Sequence, residues 1–431
     1  MSILRSMNTG AAGLRAHGAA IGVTGDNIAN VNTVGFKRSR GVFEDLLGRS
    51  IAGSSAIPQA GAGSRLAHIQ QMWTQGALLT TEAPTDLAIS GGGFFMVEGN
   101  AGGIDGRFYT RAGQFAIDTD GQLANPNGLR LMGYTADDAG TLGATLGPIT
   151  VGGRTLPASP TTEATIAANL DSNEAVLAAP WDPANPGETS NFSTSTTVYD
   201  SLGNAHEVTV YYRKTADNAW DWHAMVDGGD VTGGTAGVPF EGASGSLTFT
   251  TEGALDTETA GASTWNFVGA TPGQSVDFDF GESIAEGGDG FGGTTQLASD
   301  SVTTAIEQNG FSGGNVAGIS VAADGTVTGV FSNGQRRVLG QVALADFASE
   351  AGLDRAGQNL WVATERSGEA LVGAPGAGGL GSLVAGALEG SNVDIGQEFV
   401  DMIAFQRGFQ ASSRVITTAD EMYGELVNLK R

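Results

Sequence analysis

Apolar residues recur at alternating intervals of three and four near both ends of the chain. Leu4, Met7, Ala11, Leu14, Gly18, Ile21, Gly25 and Ile28 fill eight such positions at the start. Met402, Phe405, Phe409, Ser412, Ile416, Ala419, Tyr423 and Leu426 fill eight more near the end. This spacing predicts two long helices, each presenting one narrow stripe to a partner helix. The first proline is Pro58, and Ser391 to Arg431 contains no proline and only three glycines. Gln397, Gln406, Arg407, Gln410, Arg414, Glu421 and Lys430 occupy the other faces of the second helix, making it amphipathic. In the first, Gly10, Gly13, Gly18, Gly22 and Gly25 each cost roughly 1 kcal/mol relative to alanine, so assembly is expected to supply its helicity. Glycines at stripe positions 18 and 25 are expected to admit a close neighbour. Two helices closing a monomeric bundle beside a globular domain satisfy the same pattern as helices packing among copies.

Between these ends the chain reads as turn-dense β structure. Asn30, Asn32 and Gly35 should stop the first helix between about residues 28 and 34. Val42 to Ala67, punctuated by Gly48, Gly53, Pro58, Gly61 and Gly63, reads as an extended linker. Residues 87–89 and 94–97 are short apolar runs bounded by Pro84 and Gly91-Gly92-Gly93, and so predict strands. Asp120-Gly121 and Asp324-Gly325 are the turns of two predicted hairpins, 115–123 and 319–330, the second followed by a strand over 338–344. Further strands are expected at 193–199, 207–212, 220–226 and from Leu247, with turns at 200–204 and 251–253.

Composition narrows the class. Sixty-eight glycines without a triplet repeat exclude collagen, while 40% apolar residues argue against wholesale disorder. The absence of cysteine excludes disulfides and thiolate metal sites. At 431 residues, two or three domains are expected. The formal charge of -25 is concentrated in the middle of the chain, which disfavours nucleic acid and anionic membrane surfaces as partners. No apolar run approaches a membrane span, and a soluble protein without a cleavable secretory signal is expected.

The run from Asn27 to Lys37, with Asn30, Asn32, Thr33, Gly35 and Phe36 inside it, resembles the N-terminal signature of the bacterial flagellar rod and hook family. Ser391, Asn392, Val393 and Asp394, followed downstream by Gln406 and Arg407, resemble that family's C-terminal helix. Residues 83–97 and 109–115 are similar to its conserved β domain, and the insertion near residues 152–298 is similar to the outer domain of the family's hook branch.

The resemblance implies a mixed, mainly β fold whose long N- and C-terminal α-helices form a coiled-coil-like inner domain, with two β-rich domains inserted between them. The implied segments are an inner helix over 1–34, a linker over 35–72 and a discontinuous middle domain over 73–150 and 299–375. An outer domain over 151–298, a linker over 376–390 and a second inner helix over 391–431 complete the chain. It further implies a self-assembling tube subunit acting as a universal joint outside the cell. Leu4, Met7, Leu14, Ile21, Ile28, Met402, Phe405, Phe409, Ile416 and Tyr423 would hold its inner wall. The distal rod, the hook cap, the hook-filament junction proteins and the flagellar export apparatus are the implied partners. A distal-rod-like subunit that has acquired an insertion, and a secreted β-rich binding protein with dimerising helices, are the alternatives.

No enzymatic constellation competes with this reading, and no cofactor is expected. His17, His68, His206 and His223 lack metal-ligand spacing. No phosphate-binding loop occurs, and Gly91-Gly92-Gly93 lacks the strand-to-helix setting of a dinucleotide site. Gly281 to Ala285 lacks the closing glycine of a nucleophile elbow, and Asp118 to Gly121 reads as a turn rather than a calcium loop. Trp220 and Trp222 share a strand face and are expected in a core.

Overall fold

The computed structural model describes residues 3–47, 61–261 and 263–428. Two α-helices stand at its ends, α1 (Ile3–Ala29) and α2 (Ile395–Asn428), and the chain between them is mainly strand. It forms two compact units, one comprising Met1–Gly153, Ala317–Val330 and Arg336–Arg431, the other Arg154–Val316 and Phe331–Gln335.

In the helix-bearing unit, α1 ends where Asn30 turns back on Asp26, its amide donating to the Asp26 carbonyl at 2.9 Å and carboxylate at 3.1 Å. The segment expected as a linker does more than connect. Ser39–Leu47 and Gly61–Gln71 pair antiparallel, from Ser39 opposite Gln71 to Leu47 opposite Gly61. Pairing satisfies their backbone groups, which a bare linker would leave to water. The middle of that expected linker, residues 48–60, lies outside the described residues.

The β framework of this unit is antiparallel. Phe94–Ala101 pairs with Ile104–Thr110 on one side and with Arg130–Ala136, and Arg130–Ala136 pairs in turn with Arg336–Val342. Gly91 and Gly93, both at positive φ, form the bend between Leu87–Ser90 and Phe94–Ala101. The expected turns form at Gly121, which donates to the Asp118 carbonyl, and at Gly325, which donates to the Ala322 carbonyl. The core is aromatic: Trp73 packs edge-on against Phe94 at 5.2 Å and Trp361 at 4.7 Å, and Phe347 against Tyr109 at 4.8 Å.

The other unit is built on a five-stranded antiparallel meander: Phe192–Tyr199, Ala205–Ala216, Ala219–Asp227, Pro239–Phe249 and Leu255–Ala260. Glu163–Asn169 pairs parallel with Asp277–Asp279 and antiparallel with Val302–Gln308 in a second, three-stranded sheet. Alternation sends Val208, Val210 and Tyr212 inward from one strand and Trp220, Trp222 and Ala224 from the next. Trp222 lies 5.0 Å from Phe280 and 5.5 Å from Phe278, ring centre to ring centre.

The expected turn at 200–204 is organised by Asp200. Its carboxylate accepts the backbone amides of Leu202 and Asn204 and the side chain of Asn204, with His206 Nε2 at 3.2 Å. Burial opposes ionisation of Asp200, and these hydrogen bonds outweigh it, holding the carboxyl below the usual range. Arg213 and Lys214 turn inward to carbonyls of the 172–179 segment, Lys214 Nζ reaching Ser172 O at 2.7 Å.

Candidate assembly interface

The contact between α1 and α2 sets glycines of one helix against side chains of the other, and the residues that α1 buries are small. Gly10, Ala16, Ala20, Thr24 and Asn27 are the buried positions of α1. A Cβ at Gly10 would lie 2.8 Å from Ile416 Cγ1, and one at Gly13 would lie 2.6 Å from Ser412 Oγ. On the facing helix, a Cβ at Gly408 would lie 2.7 Å from the His17 ring. Close approach therefore occurs at Gly10 and Gly13. At Gly18 the nearest such contact is Phe409 at 3.8 Å, and at Gly25 nothing lies within 4 Å. Four of the five buried positions of α1, Gly10, Ala20, Thr24 and Asn27, sit one residue before an expected stripe position, a rotation of about 100° around the helix.

The apolar stripe of α1 consequently flanks this contact. Met7, Leu14, Ile21 and Ile28 are half-buried and Leu4 is 62% exposed. On α2, Met402, Phe405 and Ile416 are half-buried and Ala419 is buried. Phe405 lies 5.9 Å from Phe43, on the strand paired beside α1, and 6.3 Å from His17. Phe409 and Tyr423 are exposed, and the side chain of Leu426 lies outside the described residues. A second set, Ile395, Phe399, Val400, Ile403, Val415 and Met422, stands 44–61% exposed along α2. A groove of about 470 Å³ runs between Ile3, Ser6, Val415, Ala419 and Met422. Exposed apolar side chains grouped near the start of α2 and around this groove mark candidate interaction sites.

At the root of the helix pair the chemistry is polar. Glu389 and Glu398, both fully buried, receive groups from the segment that leaves α1. Glu389 Oε1 lies 2.6 Å from Lys37 Nζ and accepts Gly76 N at 2.9 Å, while Arg111 Nη1 lies 3.3 Å from Oε2. Lys37 Nζ also donates to Thr74 O at 2.9 Å. Burial pulls the Lys37 ammonium below the usual lysine range, with Glu389 opposing the shift. Glu350 is pushed upward by its own burial, against the pull of Arg111 and Lys37. Nine residues beyond Glu389, Glu398 lies 2.7 Å from Arg38 Nε and accepts from Asn27 Nδ2 at 3.1 Å. Asn27 also exchanges both its amide groups with the backbone of Ser39 at 2.8 Å.

Most signature residues converge here, each for a stated reason. Gly35 holds φ at +69°, where a Cβ would strike the backbone of Arg111, and its N–H donates to Glu389 O at 2.7 Å. Phe36 is buried beneath the Arg355 guanidinium. Asn30 accepts from Thr33 Oγ1 at 3.1 Å. Asn392 accepts from Arg38 N at 2.7 Å and donates to Met72 O and Thr74 O. Ser391 accepts from Val393 N, and Asp394 caps α2 by accepting Gln397 N at 3.1 Å. Three stand apart: Asn32, Gln406 and Arg407 are exposed.

Sequence reasoning missed Glu389, Glu398, Arg38 and Arg111. A signal was present: Glu389 is the one acidic residue in the apolar stretch 380–393, and Lys37 is one of only three lysines in an acidic chain. Buried charges are paired almost without exception.

Four family models match consecutive parts of this architecture. Residues 7–37 match "Flagella basal body rod protein", and 88–169 match "Flagellar hook protein FlgE/F/G D1 domain". Residues 169–311 match "Flagellar basal body protein FlaE D2 domain", and 384–429 match "Flagellar basal body rod FlgEFG protein C-terminal". The chain is 37% identical to the flagellar hook protein FlgE of Salmonella typhimurium over 429 residues, covering 99% of this chain and all of that one. The chain belongs to the flagellar hook protein family. It is also 35% identical to the FlgE of Borreliella burgdorferi over 458 residues, covering 99% of this chain and all of the relative. The crystal structure of the Helicobacter pylori hook protein FlgE2 shares the fold, with a TM-score of 0.50 at 15% identity over 71% of this chain and 98% of that one. Hook proteins are a structural family, not an enzyme family.

Proposed function

We propose that copies of this hook subunit polymerise through their terminal helices into a flexible hollow tube, a universal joint between rod and filament outside the cell. The observation that carries the reading is the set of large apolar side chains left bare on α2, Phe399, Val400 and Ile403 near its start and Val415 and Met422 towards its end. Neighbouring copies would cover it in coiled-coil-like packing. Leu4, Met7, Leu14, Ile21 and Ile28 would meet Met402, Phe405, Phe409, Ile416 and Tyr423 across helices of different copies.

In this reading residues 1–34 and 391–431 are the inner wall, and 35–72 and 376–390 lead out of it. Residues 73–150 with 299–375 form the middle domain, and 151–298 the outer one. The outer surface carries the charge: the second unit holds 22 acidic side chains against Arg154, Arg213 and Lys214. Like charge keeps contacts between outer domains weak, so they slide as the tube bends. Export through the flagellar secretion channel, docking on the distal rod, capping during growth and joining to the filament are the remaining partner roles.

Electron microscopy of basal structures from cells lacking the gene tests the proposal. Rods that end without a hook are expected. Truncated rods would move the chain into the rod, and intact flagella would overturn the reading.

A further inference from the structure

We propose that Glu389 and Glu398 are positioning residues for assembly, which lock the register between the segment leaving α1 and the segment entering α2. They thereby set the direction in which the helix pair leaves the β framework. The inference rests on the hook-subunit reading and deepens it.

The helix pair interlocks along its length, with Ile416 on Gly10, Ser412 on Gly13 and His17 on Gly408. These contacts set the helices against each other but do not tie them to the strands they spring from. At the root, the 27–39 segment is tied to the 389–401 segment at successive points: Gly35 N to Glu389 O, Lys37 to Glu389, Arg38 N to Asn392 Oδ1, Arg38 to Glu398, and Asn27 to Glu398. A slip of one residue breaks the set together. An apolar contact survives such a slip with altered packing, whereas a buried carboxylate is left without a partner. Buried ion pairs add little net stability compared with well-packed apolar groups, and their best-attested use is to reject alternative registers.

The two roles separate experimentally. The triple replacement Lys37→Met, Arg111→Met and Glu389→Leu removes the upper charge cluster while keeping its bulk. The full-length variant is purified for thermal unfolding and expressed in cells lacking the wild-type gene, where hooks are imaged. The expected result is a chain that melts no lower than wild type and whose hooks are absent or altered in curvature. A merely structural role predicts the opposite pairing, with normal hooks wherever stability is kept. Glu398→Gln is the second variant, since Arg38 is partly solvated and the Asn27 hydrogen bond can persist. A small drop in melting temperature with altered hook curvature is expected from it. Hooks of wild-type curvature from both variants would overturn the proposal while leaving the hook reading intact. A wild-type gene that failed to restore hooks in the same strain would overturn both.

Discussion

The two ends of the chain and the unit spanning residues 154–316 bury opposite kinds of residue. Trp220, Trp222, Trp265 and Tyr212 are each at most 1% exposed in the latter, within a core of phenylalanine, valine and leucine. The buried positions of α1 are glycine, alanine, threonine and asparagine, while its larger apolar side chains sit at the edge of the contact. The difference teaches how a chain divides labour. An aromatic core supplies its own stability, whereas burial of small residues on α1 leaves its large side chains partly uncovered within the subunit. Cations follow the same division: Arg213 and Lys214 pin a segment of their own unit, and Lys37, Arg38 and Arg111 join segments far apart in sequence.

The contrast breaks most visibly at the aromatic core. Trp220→Ala should cost about 3–5 kcal/mol, because the surrounding sheets cannot close on the space left. Denaturant unfolding followed by tryptophan fluorescence should show an early transition for this unit, with the helix-bearing unit unchanged. An unshifted midpoint would mean that the core is not what holds the unit. At the helix contact, Gly13→Leu places bulk where Ser412 Oγ already stands and should cost about 1–3 kcal/mol. Circular dichroism would register it as lost helix, and an unchanged helical signal would contradict the close approach.

The smallest effect concerns pH. Burial raises the Glu258 carboxyl to about 7; the Phe280 amide opposes the shift, and the carboxylates of Asp279, Glu286 and Asp277 add to it. Because the folded value lies above the unfolded one, Glu258 contributes stability that is complete below about 4.5 and lost as pH rises through 7. Its unit should therefore melt lower at pH 8 than at pH 5, and Glu258→Gln should reduce that difference. Parallel melts of wild type and variant at both pH values check this, and equal pH dependence would remove Glu258 as its source.

Periodicity alone made the two helices and four of the five meander strands legible. Asp120-Gly121, Asp324-Gly325 and the Asp200 turn were readable because their chemistry is local. The pairing of Ser39–Leu47 with Gly61–Gln71 was not, since these strands alternate poorly and glycine and proline lie between them. Within one subunit α1 buries other positions than its apolar stripe for a physical reason: apolar periodicity finds the stripe with the largest side chains, and the subunit itself buries mainly small ones. Lys37 and Asn27 could be quoted as a signature, yet their partners Glu389 and Glu398 lie more than 350 residues away. No local pattern connects them.

The most direct test of the account is Ile403→Asp, at a position 50% exposed on the bare face of α2. Thermal unfolding of the purified chain and electron microscopy of the cells should be read together. The account predicts wild-type unfolding with no hooks, because only contacts between copies are lost. Normal hooks would contradict it, since an aspartate cannot sit unpaired in an apolar wall.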